Sequence, residues 1–190
     1  MQKTNVIFQT KILAEIIVFS ALSAVLYTIR PFTLPYGGSI TLGSMVPTMW
    51  ISLRRGIRVG VIVGAVFGIL ALFIDVLLLG ASAVIATPLQ AVLEYPVAFG
   101  LIGLTGMFYF YKKTVSLALA GAAVSTFLRF LVHYSVGVFV WYYVYAFPTY
   151  ADARYIYPAV YNGGFLSAEF IISAILLTVL VRRGTLKYRL

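Results

Sequence analysis

Four residues that could bind a ligand, together with one glycine, recur every four positions inside an apolar segment. The segment RFLVHYSVGVFVWYYVY contains Arg129, His133, Gly137, Trp141 and Tyr145. Residues four apart lie on one slowly drifting face of a helix, so these five are predicted to share a face. Ionisable side chains are costly in lipid and rarely face it. The segment therefore predicts a polar cavity in a membrane protein, where Gly137 leaves space for a flat ligand.

Two other segments add polar side chains to this prediction. Gln90 and Glu94 share a helical face, and the Tyr95–Pro96 step disfavours a regular helix and frees nearby backbone groups. The last apolar segment adds Tyr157, Tyr161, Asn162 and Glu169. A carboxylate among aromatic rings favours a flat, cationic ligand, because ion pairing and cation–π contact strengthen when water is excluded.

Structural roles are the alternative for several of these residues. Glu94 could neutralise Arg129 as a structural ion pair, and Trp141 could be an interfacial belt residue. Arg129 and Glu169 lie deeper toward the cytoplasm, where a structural role is expected. Asp75, near the outer end of its segment, is expected to be solvated.

Composition assigns the chain to the membrane. Its 190 residues are 62% hydrophobic and 10% charged, with a mean hydropathy of +1.02, which is too apolar for a soluble domain. Apolar runs of about 20 residues recur, and that length crosses a bilayer core. The absence of cysteine excludes disulfides and thiolate metal sites. We expect one domain, residues 1–190, that is an all-α integral membrane protein without an internal repeat.

The charge pattern indicates topology rather than nucleic-acid binding. The net charge is +9, but most cations fall in four clusters: Lys3 and Lys11; Arg54, Arg55 and Arg58; Lys112 and Lys113; Arg182, Arg183, Lys187 and Arg189. Segments nearly free of positive charge separate the clusters, as expected of cytoplasmic loops. Both termini are therefore predicted to be cytoplasmic.

Six transmembrane helices are predicted, over residues 12–29, 39–53, 57–79, 84–110, 115–144 and 159–181. The second is short and is broken by Gly43 and Pro47. Irregular backbone at membrane depth is tolerated only inside protein or beside a cavity, so a cavity is expected in the outer half.

Glycines repeat every four residues at the start of the third predicted helix. These are Gly56, Gly60, Gly64 and Gly68. Such a strip lets another helix approach closely, so a packing role is expected.

The chain contains few residues that could perform catalysis. One histidine, no cysteine and no paired acidic motif argue against an enzyme, and neither a metal site nor a cofactor is expected. No P-loop is present, so ATP hydrolysis would require other subunits. Two alternatives remain open: a self-sufficient proton-coupled transporter that uses Glu94, Arg129 and His133 as a relay, and a structural subunit of a membrane complex.

Five sequence blocks resemble one transporter family in order and spacing. They are PYGGSITLGSMVP (35–47), SLRRG (52–56), PLQAVLEYPVAFG (88–100), RFLVHYSVGVFVW (129–141) and YPAVYNGG (157–164). Together they resemble the thiamine-specific S component, the substrate-binding subunit, of energy-coupling-factor (ECF) transporters, over about residues 10–182. The resemblance implies high-affinity thiamine binding near the outer face of a prokaryotic plasma membrane. An S component for a related vitamin is the nearest alternative.

The resemblance assigns ligand contact to six residues: Glu94, Tyr95, His133, Trp141, Tyr157 and Asn162. It implies that Glu94 pairs with polar or cationic groups of the ligand and that Tyr95 supports Glu94. His133 would contact the rings and Trp141 would stack on the aminopyrimidine. Tyr157 and Asn162 would bond the thiazolium side. The order of preference among thiamine, its phosphates and the pyrimidine precursor is left open.

The resemblance also implies partner subunits. Family members dock on a transmembrane coupling protein and two cytoplasmic ATPases, and small residues of the first helix form the contact. Here Ser20, Ala21 and Ala24 are the candidates, with packing inside the chain as the alternative.

One departure from the family pattern affects the mouth of the cavity. Tyr142 and Tyr143 follow Trp141 where the family has small residues, so a bulkier mouth is expected. Tyr36 is the candidate lid residue.

Overall fold

Five long apolar helices form the body of the part of the chain that the structure describes. This computed structural model describes residues 2–34, 37–144, 153–184 and 186, with side chains from residue 9 onward. The helices with the length and composition to cross a membrane cover Gln9–Thr28, Ile57–Leu79, Pro88–Lys112, Val115–Val144 and Ala153–Arg182. The prediction of a helical membrane protein is confirmed at this level.

The elements follow one another in a simple order. They are α1 (Gln2–Thr28), β1 (Phe32–Thr33), β2 (Ser39–Ile40), α2 (Val46–Arg55), α3 (Ile57–Leu79), α4 (Ala81–Val84), α5 (Pro88–Lys112), α6 (Val115–Val144) and α7 (Ala153–Arg182). α5 is a composite helix, with a π turn at Leu93–Val97 and a 3-10 segment at Gly103–Met107. α6 contains a second π turn at Gly137–Trp141.

The segment predicted as the second span is not one continuous helix. β1 and β2 pair antiparallel, with Phe32 opposite Ile40, and Gly43 then turns the chain at a φ of +83°. α2 begins at Val46 and has ten residues, about 15 Å of helix, which is half the thickness of a bilayer core. Seven of its ten residues are buried, so protein encloses most of this irregular segment, as the sequence predicted.

The glycine strip of α3 packs directly against the backbone of α5. A Cβ added at Gly60, Gly64 or Gly68 would collide with a carbonyl oxygen of α5. Gly56 has a different role, because it joins α2 to α3 at a φ of +95°. The predicted packing role is therefore confirmed for three of the four glycines.

Aromatic rings form the core beneath the polar side chains. Phe67 of α3 and Phe99 of α5 meet edge to face, with ring centroids 4.8 Å apart. Tyr27 of α1 contacts both rings at 5.7 and 5.8 Å. These rings join α1, α3 and α5 at the level where the polar cavity begins.

Charged residues clamp α1 to α2 at the other end of the bundle. The Glu15 carboxylate accepts hydrogen bonds from Nε and Nη2 of Arg55, at 2.6 and 2.8 Å. Arg54 Nη2 lies 3.5 Å from the same carboxylate. Nearby, Phe19 stacks on Trp50 at 5.1 Å. This end carries the Arg54–Arg58 cluster.

Candidate functional site

A cavity opens at the end of the bundle where α1 ends and α5 begins. The space between its walls is about 930 Å³, a figure that includes the open solvent at its mouth. Residues from α1, the β2 region, α3, α5, α6 and α7 line it. All six residues that the sequence proposed for ligand contact are in its wall: Glu94, Tyr95, His133, Trp141, Tyr157 and Asn162.

The first π turn places Glu94 and Tyr95 in the cavity wall. Pro96 has no backbone N–H, so it cannot make the regular helical bond to the carbonyl four residues back. The Ala98 N–H instead reaches the Leu93 carbonyl, five residues back, which widens the turn. The sequence prediction of an irregular helix at Tyr95–Pro96 is confirmed.

The second π turn places Trp141 opposite Glu94. The Tyr142 N–H bonds to the Gly137 carbonyl, five residues back, so one extra residue is inserted into α6. One extra residue turns the following side chains by roughly 100° about the axis. π turns of this kind occur frequently at functional sites. Nothing in the sequence predicted this second irregularity.

Neutral donors surround the Glu94 carboxylate. Trp141 Nε1 donates to Oε2 at 2.8 Å, and Gln90 Nε2 donates to the same oxygen at 2.5 Å. His133 Nδ1 lies 3.3 Å from Oε1. Among the described residues, no lysine or arginine lies within 4.0 Å of this carboxylate. The alternative of a Glu94–Arg129 ion pair is therefore wrong.

Arg129 lies behind His133 rather than beside Glu94. Its Nε donates to His133 Nε2 at 3.4 Å, which leaves the Nδ1 proton of a neutral imidazole for Glu94. The Arg129 guanidinium lies 4.1 Å from the ring centroid of Phe99, and Nη1 donates to the sulfur of Met45 at 3.1 Å. The hydrogen bonds thus run from Arg129 through His133 to Glu94.

Glu169 anchors the chain that follows β2. Its carboxylate accepts hydrogen bonds from the Thr41 hydroxyl, at 2.6 Å, and from the Thr41 backbone N–H. The residue is 3% exposed and also lines the cavity. These contacts agree with the structural role expected from the sequence, although the residue also belongs to the cavity wall.

Asp75 is buried, so the expectation that it is solvated is wrong. Its carboxylate pairs with Arg30 Nη2 at 2.5 Å and accepts hydrogen bonds from the hydroxyls of Tyr27 and Tyr95, both at 2.8 Å. Arg30 reaches it because that residue follows the end of α1, beside the outer part of α3. The group connects α1, α3 and α5, and it fixes Tyr95 in the cavity wall.

α7 closes the far side of the cavity. The Tyr161 hydroxyl accepts the Gly38 N–H at 2.8 Å, and a Cβ on Gly38 would lie 2.6 Å from that oxygen. Tyr157 stacks on Tyr161 with ring centroids 5.7 Å apart. Asn162 Nδ2 donates to the Pro158 carbonyl at 2.9 Å. This wall therefore presents aromatic faces and one amide.

Gly137 serves close packing as well as the cavity. A Cβ at this position would lie 2.6 Å from Cβ of Pro158, so α7 occupies much of the notch predicted beside Gly137. The residue still lines the cavity. Tyr36 and Tyr145, two further residues named from the sequence, lie outside the described part of the chain.

Comparison with known proteins identifies the family. Residues 13–188 match the family model described as thiamine transporter protein. Thiamine transporter ThiT of Lacticaseibacillus paracasei is 30% identical over 148 residues, which are 72% of this chain and 70% of that protein. Thiamine transporter ThiT of Bacillus subtilis is 28% identical over 177 residues, which are 88% of this chain and 88% of that protein. The chain belongs to the thiamine transporter protein family.

A solved structure agrees with this assignment. ThiT from Listeria monocytogenes superposes with a TM-score of 0.71 at 27% identity, covering 93% of this chain and 96% of that chain. The long apolar helices and the family together establish a multi-pass membrane protein of the cell membrane. The resemblance found from five sequence blocks is thereby confirmed.

The small residues of α1 in this family member divide between two environments. Ser20 and Ala24 are buried, and the Ser20 hydroxyl donates to the Val63 carbonyl of α3 at 3.2 Å. Ala21 is exposed. Packing inside the chain, the alternative left open by the sequence, therefore describes Ser20 and Ala24.

Several cavity residues of this family member were not singled out from the sequence. They are Tyr27, Gly38, Leu79, Phe99 and Phe165. Tyr27 and Phe99 occur in apolar segments that carry many aromatic residues, so nothing local distinguishes them. Arg30 was one of three arginines outside the basic clusters, and that isolation could have pointed to a buried acidic partner such as Asp75.

Proposed function

We propose that this chain binds thiamine in the cavity and delivers it into the cell as the S component of an ECF transporter. One observation carries the proposal: Glu94 is a largely buried carboxylate held by neutral donors and without an arginine or lysine partner among the described residues. Thiamine is a flat, permanently cationic molecule with two rings. Such a ligand supplies the missing positive charge and the surfaces that aromatic walls bind best.

The proposed ligand contacts are those that the family resemblance implies, and the position of all six side chains in the cavity wall supports them. Glu94 receives the cationic and amino groups of thiamine, and Tyr95 supports it from the same π turn. His133 contacts the rings. Trp141, whose indole N–H donates to Glu94, stacks on the aminopyrimidine. Tyr157 and Asn162 bond the thiazolium side from α7.

The proposed topology has six membrane crossings, with both termini in the cytoplasm. The β1–β2 hairpin and α2 together make one irregular crossing, and the five long helices make the other five. Basic clusters at the α2–α3 and α5–α6 connections support this orientation. The cavity then opens outside, where a scarce vitamin is captured.

Partner subunits supply the energy in this proposal. The chain has no P-loop, so a transmembrane coupling subunit and two cytoplasmic ATPases of an ECF module would drive release. The exposed face of α1 that contains Ala21, with its neighbours Ile17, Val18 and Val25 about 60% exposed, supports a contact with the coupling subunit. Ser20 and Ala24 would act indirectly, by keeping α1 close to α3.

Tryptophan fluorescence tests binding directly. The chain has two tryptophans, and only Trp141 lines the cavity. Thiamine is expected to quench the emission of detergent-solubilised Trp50→Phe protein and to leave that of Trp141→Phe protein unchanged. A parallel titration with thiamine phosphates and the pyrimidine precursor establishes the order of preference. Protein that is folded but shows neither quenching nor calorimetric heat with thiamine would refute the proposal.

Reconstitution separates the coupled transporter from the proton-driven alternative. The hydrogen bonds from Arg129 through His133 to Glu94 give that alternative a physical basis. Liposomes with this chain alone should bind thiamine but not accumulate it under a pH gradient. Addition of the coupling subunit and ATPases should start ATP-dependent uptake. Accumulation by the chain alone would favour the proton-coupled mechanism instead.

A further inference from the structure

The second π turn leaves one backbone carbonyl without its regular partner. In an α-helix the Val138 carbonyl would accept the Tyr142 N–H, four residues further on. Here the Tyr142 N–H bonds to the Gly137 carbonyl instead. Val138 is 2% exposed, and a buried carbonyl without a hydrogen bond is costly, so this π turn needs a donor from elsewhere.

Arg154 supplies that donor from the start of α7. Its Nε donates to the Val138 carbonyl at 3.2 Å. Three rings surround its guanidinium, with centroids of Tyr143, Tyr155 and Phe139 at 5.2, 5.5 and 5.7 Å. Cation–π contacts of this kind restrict the guanidinium to a position beside the π turn.

We propose that Arg154 is a positioning residue that maintains the π turn and thereby directs Trp141 toward Glu94. The inference rests on the thiamine-binding function proposed above. Without the Arg154 donor, the Tyr142 N–H can return to the Val138 carbonyl and restore a regular helical turn. Loss of the inserted residue would turn Trp141 by roughly 100° relative to His133, so its indole N–H would no longer point at Glu94.

The first test reads the position of Trp141 without any ligand. Trp50→Phe protein labelled with 5-fluorotryptophan contains a single ¹⁹F reporter, at residue 141. Arg154→Met retains an unbranched apolar stem but removes the donor, and it is expected to shift or split this resonance. Arg154→Gln retains an N–H donor and should keep the resonance closer to that of the parent. An unchanged resonance in Arg154→Met would overturn the proposal.

The second test measures thiamine affinity in the same variants. Arg154→Met should raise the Kd at least tenfold, and Arg154→Gln should raise it less. Tyr155→Leu is the matched control, because it removes one ring around the guanidinium but leaves the hydrogen bond, and it should change the Kd less than threefold. Equal weakening by Tyr155→Leu and Arg154→Met would assign the effect to aromatic packing and overturn the proposal. Failure of the parent to bind thiamine would refute the proposed function, whereas the ¹⁹F result would still decide the role of Arg154.

Discussion

Glu94→Gln tests the charge on which thiamine binding is proposed to depend. Glutamine has the same length as glutamate and still presents one oxygen to Trp141 and Gln90. It removes the negative charge and turns an amide N–H₂ toward a site already occupied by donors. The substitution therefore isolates the charge of the site from its shape.

The expected loss follows from Coulomb's law for a ligand cation placed beside the Glu94 carboxylate. Two unit charges about 5 Å apart interact by about 3 kcal/mol at an effective dielectric constant of about 20. The amide oxygen keeps part of the attraction, so a net loss of about 2 kcal/mol is expected, a rise in Kd of about 30-fold. The thermal stability of the ligand-free protein should not decrease together with the affinity. The ligand-free variant no longer buries a carboxylate that lacks an arginine or lysine partner among the described residues, so its melting temperature should not fall.

Calorimetric and fluorescence titrations with thiamine measure the affinity, and thermal unfolding in detergent measures the stability. Glu15→Gln is the matched control, because Glu15 is neutralised by Arg54 and Arg55 at the opposite end of the bundle. That control should bind thiamine normally and unfold at a lower temperature. A Kd for Glu94→Gln within about threefold of the parent would show that the cation is received elsewhere.

Three further substitutions test the supports of the cavity. Asp75→Asn leaves Arg30 buried without its counter-ion and should destabilise the protein by about 3 kcal/mol, measured by thermal unfolding. Gly137→Ala places a Cβ against Pro158, so α7 must move outward, and thiamine titration should show at least about tenfold weaker binding. Gly64→Leu should prevent α3 from meeting α5, which would appear as loss of monodisperse protein on size-exclusion chromatography.

The sequence predicted the side chains of the cavity wall better than it predicted the structure of the second proposed span. Ionisable residues are so rare in membrane segments that Glu94 and His133 stood out before any coordinates, and Trp141 was found by its alignment with His133. The second predicted span was harder, because residues 39–53 mix short polar side chains with apolar ones. That composition suits a hairpin and a ten-residue helix as well as one broken span.

The sequence could not predict which polar side chains of the cavity contact one another. Periodicity placed Arg129 and His133 on one face, but the distance between helices decides which of them reaches Glu94. Asp75 was misassigned for a related reason, since the position of Arg30 depends on how the chain leaves α1. Long-range pairs of this kind depend on tertiary packing, which local spacing does not encode.

The second π turn lies between cavity residues that regular helical spacing had placed on one face. Spacing by four correctly put Arg129, His133, Gly137 and Trp141 beside one cavity, although the helix between Gly137 and Trp141 is not regular. The inserted residue brings the indole N–H of Trp141 to Glu94, where it helps to hold a carboxylate that has no arginine or lysine partner in the part of the chain that the structure describes. Thiamine would provide the missing charge, so binding should stabilise the chain by about 4 kcal/mol at a free concentration of about 1,000 times Kd. A melting temperature that does not rise with saturating thiamine would contradict this coupling between an uncompensated charge and its ligand.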